Sequence, residues 1–221
     1  CADSIVAIEQ AGDVECKCLT IETDSSFLAN GLVVHNSVLC SVLLPSYLFG
    51  RRPTMQFLQV SHSEELAAKF GRKVRDLLES PEYGMVFPKT RISDASRAAD
   101  RWDTTVGGGY MAAGATKGIA GFRGNVIGAD DVLSEQTAKS KTEREKVIEN
   151  WHSGIASRLL PKGSIVITNT RWHVMDVAGY VLKQQEEIEE ADQWTRLTYT
   201  ALADKKTAEK VSVSVGTSFW P

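Results

Sequence analysis

Along the first 36 residues apolar and polar side chains alternate with a period of two, over 4–8 and again over 15–22, on either side of Ala11-Gly12-Asp13. That alternation predicts half-buried strands, and Asn30-Gly31 ahead of Leu32-Val33-Val34 predicts a tight hairpin turn. After Ser37 the texture changes. Residues 38–49 form an apolar run long enough for a buried helix, closed by Gly50 and Pro53. A short strand over 55–60 follows. From Ser63, Leu66, Phe70, Val74 and Leu77 recur at helical spacing, with Ser61 and Glu64 placed as a capping box.

The stretch 94–123 is rich in Gly, Ala and Arg and reads as loops and edge strands. Residues 125–129 predict an apolar strand ending in Asp130-Asp131, and 142–158 a charged helix carrying Trp151. A second apolar strand over 164–168, a helix over 174–190 and a strand over 194–202 complete the pattern. Helices alternating with at least four short apolar strands predict an α/β fold with a largely parallel sheet covered on both faces. In such sheets ligands bind beyond the carboxyl ends of the strands.

Composition narrows the possibilities. The chain has 221 residues, 43% hydrophobic and 24% charged, with 25 Lys+Arg against 28 Asp+Glu and a formal net charge of −3. A stand-alone cationic nucleic-acid binder is therefore disfavoured, since such binding rests on neutralising phosphates. Any basic surface must be local. No run reaches the ~18 consecutive apolar residues of a membrane span. The N-terminus lacks the basic and apolar segments of a signal peptide, so a cytoplasmic location is expected. Cysteines stand only at 1, 16, 18 and 40, which supports neither a disulfide framework across the chain nor a four-ligand zinc site.

Two clusters carry chemistry. In His35-Asn36-Ser37 the Asn36 amide has its own carbonyl carbon within reach, and cyclisation there releases the residue that follows. His35, with an ordinary pKa of about 6.5, suits protonation of the leaving amine, and the Ser37 hydroxyl suits ester exchange. A turn or helix cap explains the same tripeptide. Residues 14–22 and 27–36 taken together resemble the last two conserved blocks of an intein of the Hint type, with Ser37 as the first downstream residue. The resemblance implies that Asn36 cyclises, His35 assists and Ser37 accepts the upstream chain. Cys18 falls where many inteins carry Asp and some Cys, so it either assists splicing or is a buried strand cysteine. Ser25 and Ser26 stand where a further His is common, and 36 residues are too few for the whole splicing fold. A complementary N-terminal half is therefore expected elsewhere, with Cys1 not the splicing nucleophile.

The second cluster lies downstream. Asp130 and Asp131 follow an apolar strand, an arrangement that suits holding Mg²⁺ and orienting a hydrolytic water; an acidic turn or a helix cap before Ser134 is the plainer explanation. Thr168, Asn169 and Thr170 end the next strand and suit γ-phosphate sensing, with Arg171, Trp172 and His173 as a packed corner. The glycine-rich loop 115–124 carries Arg123, a candidate charge-stabilising arginine, with DNA contact or simple solvation as competing explanations.

Ordered matches over roughly residues 37–203 resemble the large subunit of tailed-bacteriophage terminase, an ATP-driven DNA-packaging motor. They include Leu43 to Arg51, Ser61-His62-Ser63, Gly71 to Arg75, Phe87-Pro88, Ser96 to Trp102 and Gly107 to Tyr110. They continue through Asp130-Asp131, Arg144-Glu145-Lys146 with Trp151, and Thr170 to His173. The resemblance implies a P-loop NTPase-like domain in which Asp130 is the Walker B magnesium aspartate and Asp131 the catalytic carboxylate. It makes Thr168, Asn169 and Thr170 the segment coupling hydrolysis to movement. It implies Mg²⁺ and ATP as cofactors, double-stranded DNA, a portal and a small terminase subunit as partners, and the cytoplasm of a phage-infected bacterium as the location. Intein sequence stands where the family's Gly-Lys-Ser phosphate loop belongs, so Ser37 would be splice acceptor first and Mg²⁺ ligand afterwards. The expected organisation is an intein segment at 1–36, an incomplete ATPase domain at 37–203 and a linker at 204–221 leading to a nuclease domain beyond this sequence. The alternative is a non-catalytic nucleic-acid-binding or assembly fragment using Lys69, Arg72, Lys73 and Arg75.

Overall fold

In the computed structural model the described residues are 18–21, 26–29, 32–119, 121–199, 205, 209 and 214–216. The strands expected at 4–8, the first part of that at 15–22 and the Asn30-Gly31 turn lie outside them. Near the N-terminus β1 spans Cys18–Ile21, β2 Ser26–Ala29 and β3 Leu32–His35. β2 and β3 pair antiparallel with Ala29 opposite Leu32. β1 pairs in parallel with β10 (Arg196–Tyr199).

The expected apolar helix opens with α1 (Asn36–Val38), passes through a π-helical turn (Leu39–Leu43) and continues as α2 (Leu44–Arg51). It leads to β4 (Gln56–Ser61), then α3 (Glu64–Leu78) and α4 (Pro81–Val86). The cap of α3 corrects the expectation for Ser61. Ser63 is the N-cap, its Oγ accepting from Leu66 N at 3.2 Å, because β4 runs on through Ser61 and leaves that residue in extended backbone.

β5 (Ile92–Arg97), β6 (Arg101–Thr104) and β7 (Gly109–Gly114) follow. β5 is an edge strand, as expected of 94–123, but β6 is paired on both sides and β7 is interior, paired in parallel with β4 along its whole length. β8 spans Gly124–Asp130 and β9 Leu159–Thr168, separated by α5 (Glu135–Lys139), α6 (Lys141–Asn150) and a π-helical turn at Trp151–Ile155. A 3-10 turn at Ala156–Arg158 leads into β9, and α7 (Val177–Glu187) comes after it. The six-stranded sheet has the order β5-β6-β7-β4-β8-β9, with β7, β4, β8 and β9 parallel. This is an α/β, mostly parallel sheet, compatible with a Rossmann or P-loop-like arrangement.

Alternation along β4 divides the core. Phe57 faces one side, where it joins Phe49, Phe70, Val74, Trp102 and Tyr110 beneath the helices preceding and following β4. Leu58 and Val60 face the other, with Ile127, Ala129, Ile167, Trp151, Ile155 and Val177. Trp102 stacks on Tyr110 with ring centroids 5.0 Å apart and donates from Nε1 to the Gly71 carbonyl at 3.2 Å. Gly71 must be glycine, since a Cβ there would stand 2.5 Å from the Ala99 carbonyl oxygen. No helix among the described residues is long and apolar enough to cross a membrane.

Candidate active site

The parallel register gathers one polar row at the carboxyl ends of the strands. Val60 pairs with Ala129, so Ser61 falls beside Asp130; Asp130 pairs with Thr168, and Ser61 with Gly114. Residues in register on parallel strands project to the same face. Ser61, Asp130 and Thr168 therefore share the face covered by α1 and the π-turn, and that helical segment completes the site. Ser37 Oγ donates to Asp130 Oδ1 at 3.2 Å and Ser41 Oγ to Oδ2 at 2.8 Å. Ser41 in turn accepts from Gln59 Nε2 at 3.3 Å. Gly128 leaves room for Gln59, because a Cβ there would lie 2.8 Å from the Gln59 Oε1.

Asp130 is buried, and burial pushes its carboxyl up to about 7, against the Ser41 and Ser37 hydrogen bonds and with the charge of Asp131 adding to the rise. Asp131 is raised as well, chiefly by burial, with the Thr170 hydrogen bond and His62 opposing. Its backbone is left-handed, φ 44°, a conformation Asp tolerates better than most residues. This bend ties three strand ends together. His62 N donates to the Asp131 carbonyl, Asp131 N donates to the Thr168 carbonyl (both 2.9 Å), and Thr170 N donates to Asp131 Oδ1 at 2.8 Å.

Asp130, Asp131, Thr168, Asn169, Thr170 and Ser37 thus converge at one end of the sheet, as the sequence suggested. Arg123 does not. It precedes the first residue of β8, and a seven-residue strand at about 3.3 Å per residue separates it from Asp130 by roughly 20 Å. The expectation followed adjacency in sequence; strand direction overrules it, and within one chain Arg123 stands at the far end. The cation of that loop nearest the site is Lys117, three residues beyond the end of β7 and paired with Glu64. Backbone alone places the junction residues before Ser37: Cys18 opens β1, His35 ends β3 and Asn36 opens α1. On α3, Lys69, Arg72 and Lys73 are exposed, whereas Arg75 is engaged by the Arg97 carbonyl at 2.7 Å and by Asp76.

Ser61 Oγ, Thr168 Oγ1 and Asn169 Oδ1 are buried with no hydrogen-bond partner among the described residues. Among those residues no group of three His, Cys, Asp or Glu side chains forms a protein-only metal site. One carboxylate flanked by hydroxyls is instead a hard, oxygen-only donor set. It fits Mg²⁺, which is usually held by one or two carboxylates, waters and substrate phosphate oxygens. Sequence reasoning missed Ser41 and Gln59, which look like core positions, and Asp176. The last is buried at the start of α7 and accepts from Asn169 Nδ2 at 3.2 Å and Arg171 Nε at 2.8 Å. No protein-family model and no curated protein matches the chain.

Proposed function

We propose that this chain is a precursor fragment of a phage DNA-packaging motor, a terminase large subunit whose nucleotide site is completed by protein splicing between Asn36 and Ser37. The observation that carries the reading is the 3.2 Å bond from Ser37 Oγ to Asp130, residues 93 apart in sequence. A serine that only happened to follow a splice site would have no reason to meet a buried strand-end carboxylate. A serine that ends a phosphate loop and shares a cation with a Walker B aspartate would.

In this reading Asp130 and Ser37 would hold Mg²⁺, which would supply charge neutralisation for the nucleotide phosphates. Asp131 keeps Oδ1 on Thr170 N, and its other oxygen orients the attacking water. That link also connects the carboxylate to the segment Thr168-Asn169-Thr170, so a change at the phosphate reaches the start of α7. The glycine and lysine of the phosphate loop come from a complementary fragment, and until they are joined this chain lacks the amide cradle that grips the nucleotide. DNA, portal and small subunit are partners of the completed motor, not of the fragment.

Mixing the chain with a complementary N-terminal half ending in a phosphate loop and an intein start tests the proposal. The expected result is a ligated product that hydrolyses ATP with Mg²⁺, while the unligated chain does not. Turnover by the unligated chain, or a ligated product without turnover, overturns it. DNA binding by an inert ligated product would instead support the assembly reading based on Lys69, Arg72 and Lys73.

A further inference from the structure

Asp176 is 2% exposed, and its two oxygens have separate tasks. Oδ1 accepts from Gly179 N at 2.8 Å, the ordinary N-cap of α7. Oδ2 makes no capping bond. It accepts from Arg171 Nε at 2.8 Å and from Asn169 Nδ2 at 3.2 Å, and Arg171 is held further by the Val174 carbonyl at 3.3 Å. An ionised carboxylate accepts and never donates, so the part of the Asn169 amide that faces it must be the NH₂. The Thr170 carbonyl, 3.1 Å from the same nitrogen, imposes the same choice. The amide oxygen is thereby turned the other way. Asn169 Oδ1 is buried and without a partner among the described residues, one residue after Thr168, whose hydroxyl is in the same condition.

We propose that Asp176 is a positioning residue of the hydrolytic site: through Oδ2 it locks the Asn169 amide so that Oδ1 faces the site as a fixed acceptor for the attacking water. The inference rests on the ATP-hydrolase reading. A helix cap alone needs one carboxylate oxygen; the second, with Arg171, clamps the segment that follows β9. An amide with its nitrogen bound on two sides cannot turn over, so its oxygen enters the reaction already oriented. Orientation of this kind is worth rate, and a misplacement of about 1 Å can cost 100-fold.

Asp176→Asn separates the two tasks. Its amide oxygen keeps the cap on Gly179 N, while its NH₂ replaces Oδ2 and meets the NH₂ of Asn169 donor to donor, so the Asn169 amide loses that anchor and is held by the Thr170 carbonyl alone. In the unligated full chain, NMR of ¹⁵N-labelled Asn side chains should show the Asn169 NH₂ protected from hydrogen exchange by about tenfold or more, and D176N should lower that protection severalfold. Free exchange in the wild type, or unchanged protection in D176N, overturns the assignment without any need for activity. In the ligated product, D176N should lower kcat about 10- to 100-fold with KM for ATP within about twofold, and should add nothing in an Asn169→Ala background. A loss that appears in KM, or one that multiplies with N169A, reduces Asp176 to a structural cap. A wild-type ligated product without turnover removes the hydrolase reading and the water with it, and the exchange measurement then judges the Asp176–Asn169 lock on its own.

Discussion

Asp130→Asn is expected to make the chain more stable at pH 8 while removing the carboxylate on which the proposed site depends. Asp130 is 1% exposed, and burial is the main reason its carboxyl titrates near 7 instead of 3.8. The sign follows from proton counting. Between about pH 4 and 7 the folded chain keeps a proton that the unfolded chain has released, so this contribution to stability is complete below about pH 4 and is lost as pH rises through 7. A rise of roughly three pH units corresponds to about 4 kcal/mol at 1.36 kcal/mol per unit. Asparagine does not ionise, so it escapes that loss. The cost in return is small: like the protonated carboxyl, the amide offers one acceptor and one donor, each serine hydroxyl can accept as well as donate, and re-pairing them costs about 1 kcal/mol at most. The variant should therefore be at most about 1 kcal/mol less stable than the wild type at pH 4 and about 3 kcal/mol more stable at pH 8. Urea unfolding followed by tryptophan fluorescence, in metal-free buffer at several pH values, reads the difference directly. Asp131 and Asp176 are also raised by burial and tilt both stability curves the same way, so the variant-minus-wild-type difference is the quantity to plot. A difference flat in pH, or one that moves against the variant as pH rises, would refute the reasoning.

Further tests reach other parts of the fold. Trp102→Ala should cost about 3–5 kcal/mol by denaturant unfolding, since it empties the space between Phe49 and Tyr110 and removes the indole hydrogen bond to the Gly71 carbonyl. Gly71→Ala should cost about 1–3 kcal/mol, because the added methyl meets the Ala99 carbonyl, which is backbone and cannot swing aside. Lys162→Gly should stabilise by about 1 kcal/mol in a thermal melt: Lys162 is exposed and holds a left-handed backbone, φ 63°, where β9 gains extra residues relative to β8. In the ligated product Asp131→Asn should reduce ATP turnover by at least about 100-fold with folding intact by circular dichroism, and survival of turnover would remove Asp131 from its role.

What could be read from the chain depended on whether a residue's role was set by its neighbours in sequence or in space. The apolar strand before Asp130-Asp131 and the spacing of Phe70 and Val74 on α3 are local signals, and both elements stand where the pattern put them. β7 was legible only as edge material. Gly-Tyr-Met-Ala-Ala-Gly contains no β-branched residue, and it is a strand because β4 and β6 supply partners on both sides. Its small side chains are themselves a packing feature, since Ala112 and Ala113 lie buried on opposite faces under different helices. Asp176 precedes a helix and reads as a cap, which it is; nothing in the sequence says that its second oxygen meets Asn169. Arg123 failed for the complementary reason, in that one residue of separation from β8 says nothing about which end of the strand bears the site.

The plainer explanation of Asp130-Asp131, an acidic turn or a cap for the next helix, makes a physical claim that the fold contradicts. Carboxylates serving a turn stay in water, where ionisation is free, and a capping carboxylate accepts from the first amides of its helix. Asp130 does neither. Ser134 caps α5 with its own hydroxyl, which accepts from Thr137 N at 3.2 Å. Asp130 is instead taken out of water against two serine hydroxyls, at a cost its raised pKa records. Next to it Asp131 occupies a left-handed backbone, and Ser61 and Thr168 bury hydroxyls without partners among the described residues, each worth about 1–3 kcal/mol of lost hydration. Penalties of this kind accumulate where a structure is arranged for something other than its own stability. Further along the same sheet face, Phe49, Phe57, Trp102 and Tyr110 stack in an apolar cluster in which the Tyr110 hydroxyl is the one polar side-chain atom buried without a partner among the described residues. The dry end stabilises the fold, and the polar end draws on that stability to keep oxygens poised around one buried carboxylate.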